Sequence, residues 1–211
     1  MAAATKPELL ASFFASADTE RGVFSVRVFK GGKWRVVTID DRLPAKRATR
    51  TLMYAAGVTP SGEGPPSSPG RQRIMWLPLL EKAYAKINGR CYQNLVGGTM
   101  TFALKDLTGG DPQMVNLLDP QTADECVNGF LWQKFKLWVK QNNLLGCAWK
   151  QGRKDNREED FDGGIVRGHA YSVLDVKEHH SLKFMKVVAD FPHAQRPDPG
   201  LKVLSDLETA L

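Results

Sequence analysis

Few residues in this sequence are suited to chemistry: four histidines and three cysteines in 211 residues. One of them, His169, lies in the stretch GGIVRGHAYSVL, between Gly168 and an alternating apolar run. An imidazole there is either hydrogen-bonded scaffolding or a working base, because its free pKa of about 6.5 lets it take and return a proton near neutrality. A thiol would be its natural partner, since the attacking species is a thiolate and a neighbouring imidazole lowers the thiol pKa. Cys147, in the apolar segment LLGCAWK, reads as buried. Cys126 falls in a helical pattern, and Cys91 follows another helix. Reactive thiols need a helix N-terminus or a cationic neighbour, so all three read as packing residues. The pair His179-His180 reads as a polar turn, and tandem histidines match no metal-ligand spacing.

An odd number of widely spaced cysteines argues against a disulfide framework and against a zinc site, and reduced thiols are expected. No segment approaches the ~20 apolar residues needed to cross a bilayer, and the N-terminus lacks the apolar core of a signal peptide. A cytoplasmic protein with no membrane span is expected. The formal charge of +6 raises the question of nucleic acid. The basic residues are spread thinly, in LPAKRATR, GRQR and QKFKLWVKQ, without an aromatic RNA-binding signature or finger spacing, so no nucleic-acid partner is expected.

The elements that must position these residues follow from periodicity. Residues 22–44 predict a hairpin, with Val26 and Val28 on one face and Gly31-Gly32 supplying the positive φ angles of a two-residue turn. Residues 43–73, rich in Pro, Gly and Ser, predict a long surface loop containing a short element. A helix is predicted from Trp76, with Leu77, Leu80, Ala83 and Ile87 on one side and Asn88-Gly89 as its stop. Trp76, Leu80 and Tyr84 read as packing residues. A short helix is predicted over 100–107 and a long one over 122–142, its apolar side formed by Val127, Phe130, Leu131, Phe135 and Val139. Strands then return in LLGCAWK, GHAYSVLDV and KFMKVVAD, separated by a charged loop. Helices in the middle with antiparallel strands around them make an α+β class.

Four segments in order, GKWRVVTIDDRLP, WLPLLEKAYAKINGRCYQNLVGGTMTFALKDLTGG, LLGCAWK and RGHAYSVLDV, resemble the protease core of the calpain family of cysteine peptidases. The resemblance implies a papain-like α+β fold with a cleft between two subdomains. It implies that His169 is the catalytic base, and that Gly98 and Gly168 bind an extended peptide through their backbone, where a Cβ would intrude. It also implies a mobile loop over 155–164 beside the cleft, protein or peptide substrates, and calcium as cofactor, with no ligand identifiable in this chain.

Two catalytic positions depart from the pattern. The family's nucleophile lies in a Gly-Asp-Cys-Trp stretch upstream of the hairpin, and residues 1–21 contain no cysteine. The family's orienting Asn is matched most closely by Asp190, which can accept the imidazole N–H as Asp does in Ser-His-Asp systems. The expected organisation is therefore a tail, residues 1–21, left from the first subdomain, then a partial catalytic domain over 22–194 and a C-terminal tail over 195–211. Two readings of function follow. One is a calcium-dependent cysteine endopeptidase domain, inactive as this chain alone and completed by a first subdomain or other protein partner. The other is a non-catalytic relative that binds proteins.

Overall fold

In a computed structural model, residues 5–55, 57–58, 73–148, 159–161, 165–189 and 202–203 are described. The chain divides into two compact units, one of residues 8–112 and one of residues 1–7 with 113–211.

The first unit is built on a three-stranded antiparallel sheet of β1 (Phe14–Asp18), β2 (Val23–Lys30) and β3 (Lys33–Asp40), in that order. The predicted hairpin forms because Gly31 and Gly32 adopt φ of +63° and +75°, the left-handed pair that a two-residue turn needs. Val26 and Val28 are fully buried, as their alternation demands. The segment before the hairpin contributes more than a tail: helix α1 (Pro7–Ser12) leads into β1, which pairs with β2.

Helices α2 (Trp76–Ile87) and α3 (Met100–Thr108) pack on this sheet. The α2 helix stops at Asn88, followed by Gly89 at φ +104°. Its buried residues are Pro78, Leu79, Leu80, Ala83 and Ala85, so the covered stripe is rotated from the predicted one, taking Leu79 and Ala85 in place of Leu77 and Ile87. Two lysines of α2 finish the edge of β3. With Lys30 and Lys33 closing the turn, the carbonyls of Thr38 and Asp40 point away from β2. Lys86 Nζ donates to Thr38 O at 2.6 Å and Lys82 Nζ to Asp40 O at 3.0 Å. Among the described residues of the predicted loop, an Ala45–Leu52 bridge and the short pair β4 (Gly57–Val58) and β5 (Arg73–Ile74) form.

The second unit carries α4 (Pro120–Val127), α5 (Phe130–Lys140), β6 (Leu145–Ala148), the short pair β7 (Glu159–Phe161) and β8 (Ile165–Arg167), β9 (Ala170–His179), β10 (Leu182–Ala189) and β11 (Lys202–Val203). Its main sheet is antiparallel in the order β11-β10-β9-β6. The single helix predicted over 122–142 is two helices, because Gly129 takes φ +75° and turns the chain between them. Val127 and Phe130, assigned to its apolar side, are instead 87% and 64% exposed. Leu131 and Trp132 supply the buried face of α5. Trp132 packs with Val173 and Val176 of β9, and Phe135, Val139, Leu145, Cys147, Met185 and Val187 surround them. Trp132 Nε1 and Lys136 Nζ both reach Glu178 Oε2 at 3.2 Å, tying α5 to the far end of β9.

The antiparallel sheets and packed helices bear out an α+β class.

Candidate active site

The site is best built along β9. Tyr171, Val173 and Val176 are its buried residues, on the face that α5 covers, with a register shift near Val173 that restores the phase. The alternation carries that face back to His169, the residue just before the strand. Its imidazole is half-buried and stands edge-to-face against Tyr171, with ring centroids 5.4 Å apart and planes at 77°. Such a contact holds the ring through its apolar body. Gly168 precedes it at φ +75°, a conformation that an L side chain adopts only at a cost of about 1–2 kcal/mol. The left-handed residue turns the chain into β9 at the point where the imidazole leaves the backbone.

Gly98 belongs to the other unit. It lies in an exposed turn before α3, with Gly97 at φ +79° and itself at φ +124°. A Cβ built at Gly98 would meet no atom within 4 Å. Glycine is therefore demanded there by the backbone angle, and the space beside it is open. Val96 and Phe102, on either side of this turn in sequence, are 83% and 68% exposed.

Asp190 lies outside the described residues, as does most of the predicted loop over 155–164.

The cysteines can be judged by environment. Cys147 lies directly across from Tyr171 in the β6–β9 ladder and packs in the α5 cluster. Burial pushes its thiol up to about 11, the opposite of what an imidazole partner does to a nucleophile. Cys126 lies in α4, and Cys91 Sγ donates to Gln93 Oε1 at 2.5 Å just before a 3₁₀ turn, Tyr92–Leu95. Among the described residues no group of three or more His, Cys, Asp or Glu side chains could hold a metal ion. Calcium is held by six to eight oxygen ligands, and no set of them can be named among the described residues. No described helix is long and apolar enough to cross a membrane.

Comparison with known proteins decides what this arrangement belongs to. The family model described as calpain family cysteine protease matches residues 2–189. The chain belongs to the calpain family. Calpain-family relatives include the calpain-type cysteine protease ADL1 of Oryza sativa subsp. japonica, 32% identical over 80% of this chain and 7% of its own length. Calpain-5 of Caenorhabditis elegans is 34% identical over 79% of the chain and 25% of its own length. Calpain-5 of Mus musculus is 32% identical over 80% and 25%. The chain thus spans a quarter or less of the length of these calpain relatives.

One polar cluster of this calpain-family chain escaped sequence reasoning. Asp106, inside the short helix predicted over 100–107, is 7% exposed. Its Oδ2 accepts from Tyr84 Oη at 2.8 Å and from Lys30 Nζ at 2.5 Å. On the same helix Phe102 faces outward, so α3 buries its acid and exposes its aromatic ring. The available signal was the one carboxylate of the helix, which needs a partner wherever it is buried.

Proposed function

We propose that this chain carries the general base of a calpain-family endopeptidase with a papain-like cleft. The observation that supports this most directly is the placement of His169: a left-handed glycine delivers a half-buried imidazole to the end of β9, with its ring steadied by Tyr171. In this reading His169 takes the proton of a cysteine thiol other than Cys91, Cys126 and Cys147. The thiolate attacks the peptide carbonyl, and the imidazolium returns the proton to the leaving amine. Asp190 holds the far ring nitrogen by accepting its N–H. The backbones of Gly98 and Gly168 receive an extended polypeptide substrate, with Val96 and Phe102 as apolar surface beside the Gly98 turn. Calcium enters only as the regulator that the family implies, and no catalytic step passes through it. The protein acts in the cytoplasm, and the chain by itself is inactive.

The exposed Val96 and Phe102 support a second reading, a non-catalytic calpain-family protein that uses its surfaces to bind other proteins.

The test is hydrolysis of a fluorogenic peptide. The purified chain should give none, with or without calcium. Joined behind the nucleophile-bearing segment of an active calpain relative, it should support hydrolysis, and His169→Ala should lower the rate by roughly 10³-fold or more. Hydrolysis that survives His169→Ala would remove the proposed base. Turnover by the unmodified chain alone would place the nucleophile among its own cysteines. A fusion that folds and is inert would favour the binding reading.

A further inference from the structure

The basic stretch Lys46-Arg47-Ala48-Thr49-Arg50-Thr51 has no role in the proteolytic reading, and the structure sets it apart. All six residues are exposed. They form a closed loop whose base is the Ala45–Leu52 bridge, with Lys46 N–H donating to Thr51 O at 2.8 Å and Met53 N–H to Pro44 O at 3.0 Å. Below the base, Pro44 and Leu52 line a small cavity with Tyr54 and Tyr92, whose rings stack at 4.1 Å and 4°. The loop is therefore anchored while its tip is free. At the tip Thr49 Oγ1 lies 2.7 Å from Thr51 Oγ1 and 3.5 Å from Thr51 N. Lys46, Arg47 and Arg50 add three positive charges, and no acidic residue occurs between Leu43 and Gly62.

We propose that Thr49 is a phosphorylation site for a basophilic protein kinase, and that the cations of its own loop receive the phosphate. Two features carry this. Lys46 and Arg47 stand three and two residues before an exposed hydroxyl, a spacing suited to a kinase whose peptide cleft presents carboxylates at those positions. Beside the hydroxyl lie two donors that a phosphate dianion would take, the Thr51 hydroxyl and the Thr51 N–H, and Arg47 and Arg50 stand within two residues of it in sequence, with guanidinium groups able to form strong charge-assisted bonds to phosphate. ATP is the phosphoryl donor. Thr49 Oγ1 bonds to the γ-phosphorus as the bond from that phosphorus to the β–γ bridging oxygen breaks and ADP leaves, and the hydroxyl proton passes to the kinase's catalytic carboxylate. The loop charge falls from three positive to about one. For the segment to extend in a kinase cleft, the bonds at the base, the Arg50 N–H to Lys46 O bond at 2.8 Å and the Thr49–Thr51 contacts must open, and exposed bonds of this kind open at low cost.

The test uses the whole chain, the catalytic subunit of the cAMP-dependent protein kinase and ATP, with the modified residue mapped by mass spectrometry. One phosphate on Thr49 is expected, lost in Thr49→Ala, kept in Thr49→Ser and Thr51→Ala, and acquired at least tenfold more slowly in Arg47→Ala. In the product, ³¹P NMR should find the second phosphate ionisation below its ordinary value of about 6, and Arg50→Ala should raise it. No incorporation into the folded chain, equal incorporation into Thr49→Ala, or a phosphate mapped elsewhere would overturn the site. An unshifted phosphate ionisation would overturn its reception by the loop.

Discussion

Tyr84 Oη donates to Asp106 Oδ2 at 2.8 Å and so joins α2 to α3 through a buried polar contact. Burial first, and then the Asp106 carboxylate, hold the Tyr84 hydroxyl protonated well above the ordinary phenol range. Lys30 completes the group from β2, with its side chain 38% exposed against 10% for Asp106.

Removing the carboxylate should therefore cost more than removing the hydroxyl. Breaking a fully buried charge pair costs about 3–5 kcal/mol, and the partial exposure of Lys30 reduces that figure. Asp106→Ala is expected to lose about 2–3 kcal/mol, and Tyr84→Phe about 1.5 kcal/mol for one hydrogen bond to a charged acceptor. Urea midpoints at unchanged slope would measure both. Equal midpoints for the two variants and the parent would show that the cluster contributes nothing to stability.

Two glycines at positive φ should respond differently to alanine. At Gly109, which ends α3 at φ +69°, a Cβ would lie 2.9 Å from Trp34 Cζ2. Gly109→Ala should cost about 2–3 kcal/mol, from the left-handed backbone and from displacement of the ring, and should change the near-ultraviolet circular dichroism of Trp34. Gly98→Ala meets no neighbour and should cost only its backbone strain, about 1–3 kcal/mol, with the Trp34 signal intact. A Gly109→Ala protein with parental melting temperature would contradict the first expectation.

Cys147 should resist alkylation. A thiol raised from 9.0 to about 11 carries roughly a hundredfold less thiolate at pH 8 than an ordinary one, and the thiolate is the reactive species. Iodoacetamide should label Cys147 about 100-fold more slowly in the folded chain than in urea. Linkage gives the matching pH dependence. The folded state holds this proton up to about pH 11 while the unfolded chain releases it near pH 9, so the contribution is whole below pH 9 and is lost as pH rises towards 11. Fast labelling at neutral pH would reopen the question of a nucleophile in β6.

These contrasts show where the sequence was legible. The β2–β3 hairpin could be read because Gly31-Gly32 is a local turn signal and Val26 and Val28 alternate on one face before it. Strands also form within LLGCAWK, GHAYSVLDV and KFMKVVAD, of which Trp149, Lys150 and Asp190 lie outside the described residues, and His169 stands just before β9. The break between α4 and α5 was written in Asn128-Gly129, but the apolar residues on both sides suggested continuity; Val127 and Phe130 end up in solvent because the left-handed Gly129 redirects the second helix. β1 was missed because FASAD is short and carries no branched residue. Asp106 was missed because its burial depends on Lys30 and Tyr84, which lie 76 and 22 residues away in sequence.

The lysines of α2 at the border of β3 have a consequence for assembly. An unpaired edge strand invites another copy to add itself and so begin a fibril. At Thr38 and Asp40 the outward carbonyls are already taken by Lys86 and Lys82, and Lys82 also donates to Arg42 O at 2.6 Å. An incoming strand would have to detach two ammonium groups from these acceptors before it could form its own hydrogen bonds there, so the helix that covers the sheet also limits its growth at that end.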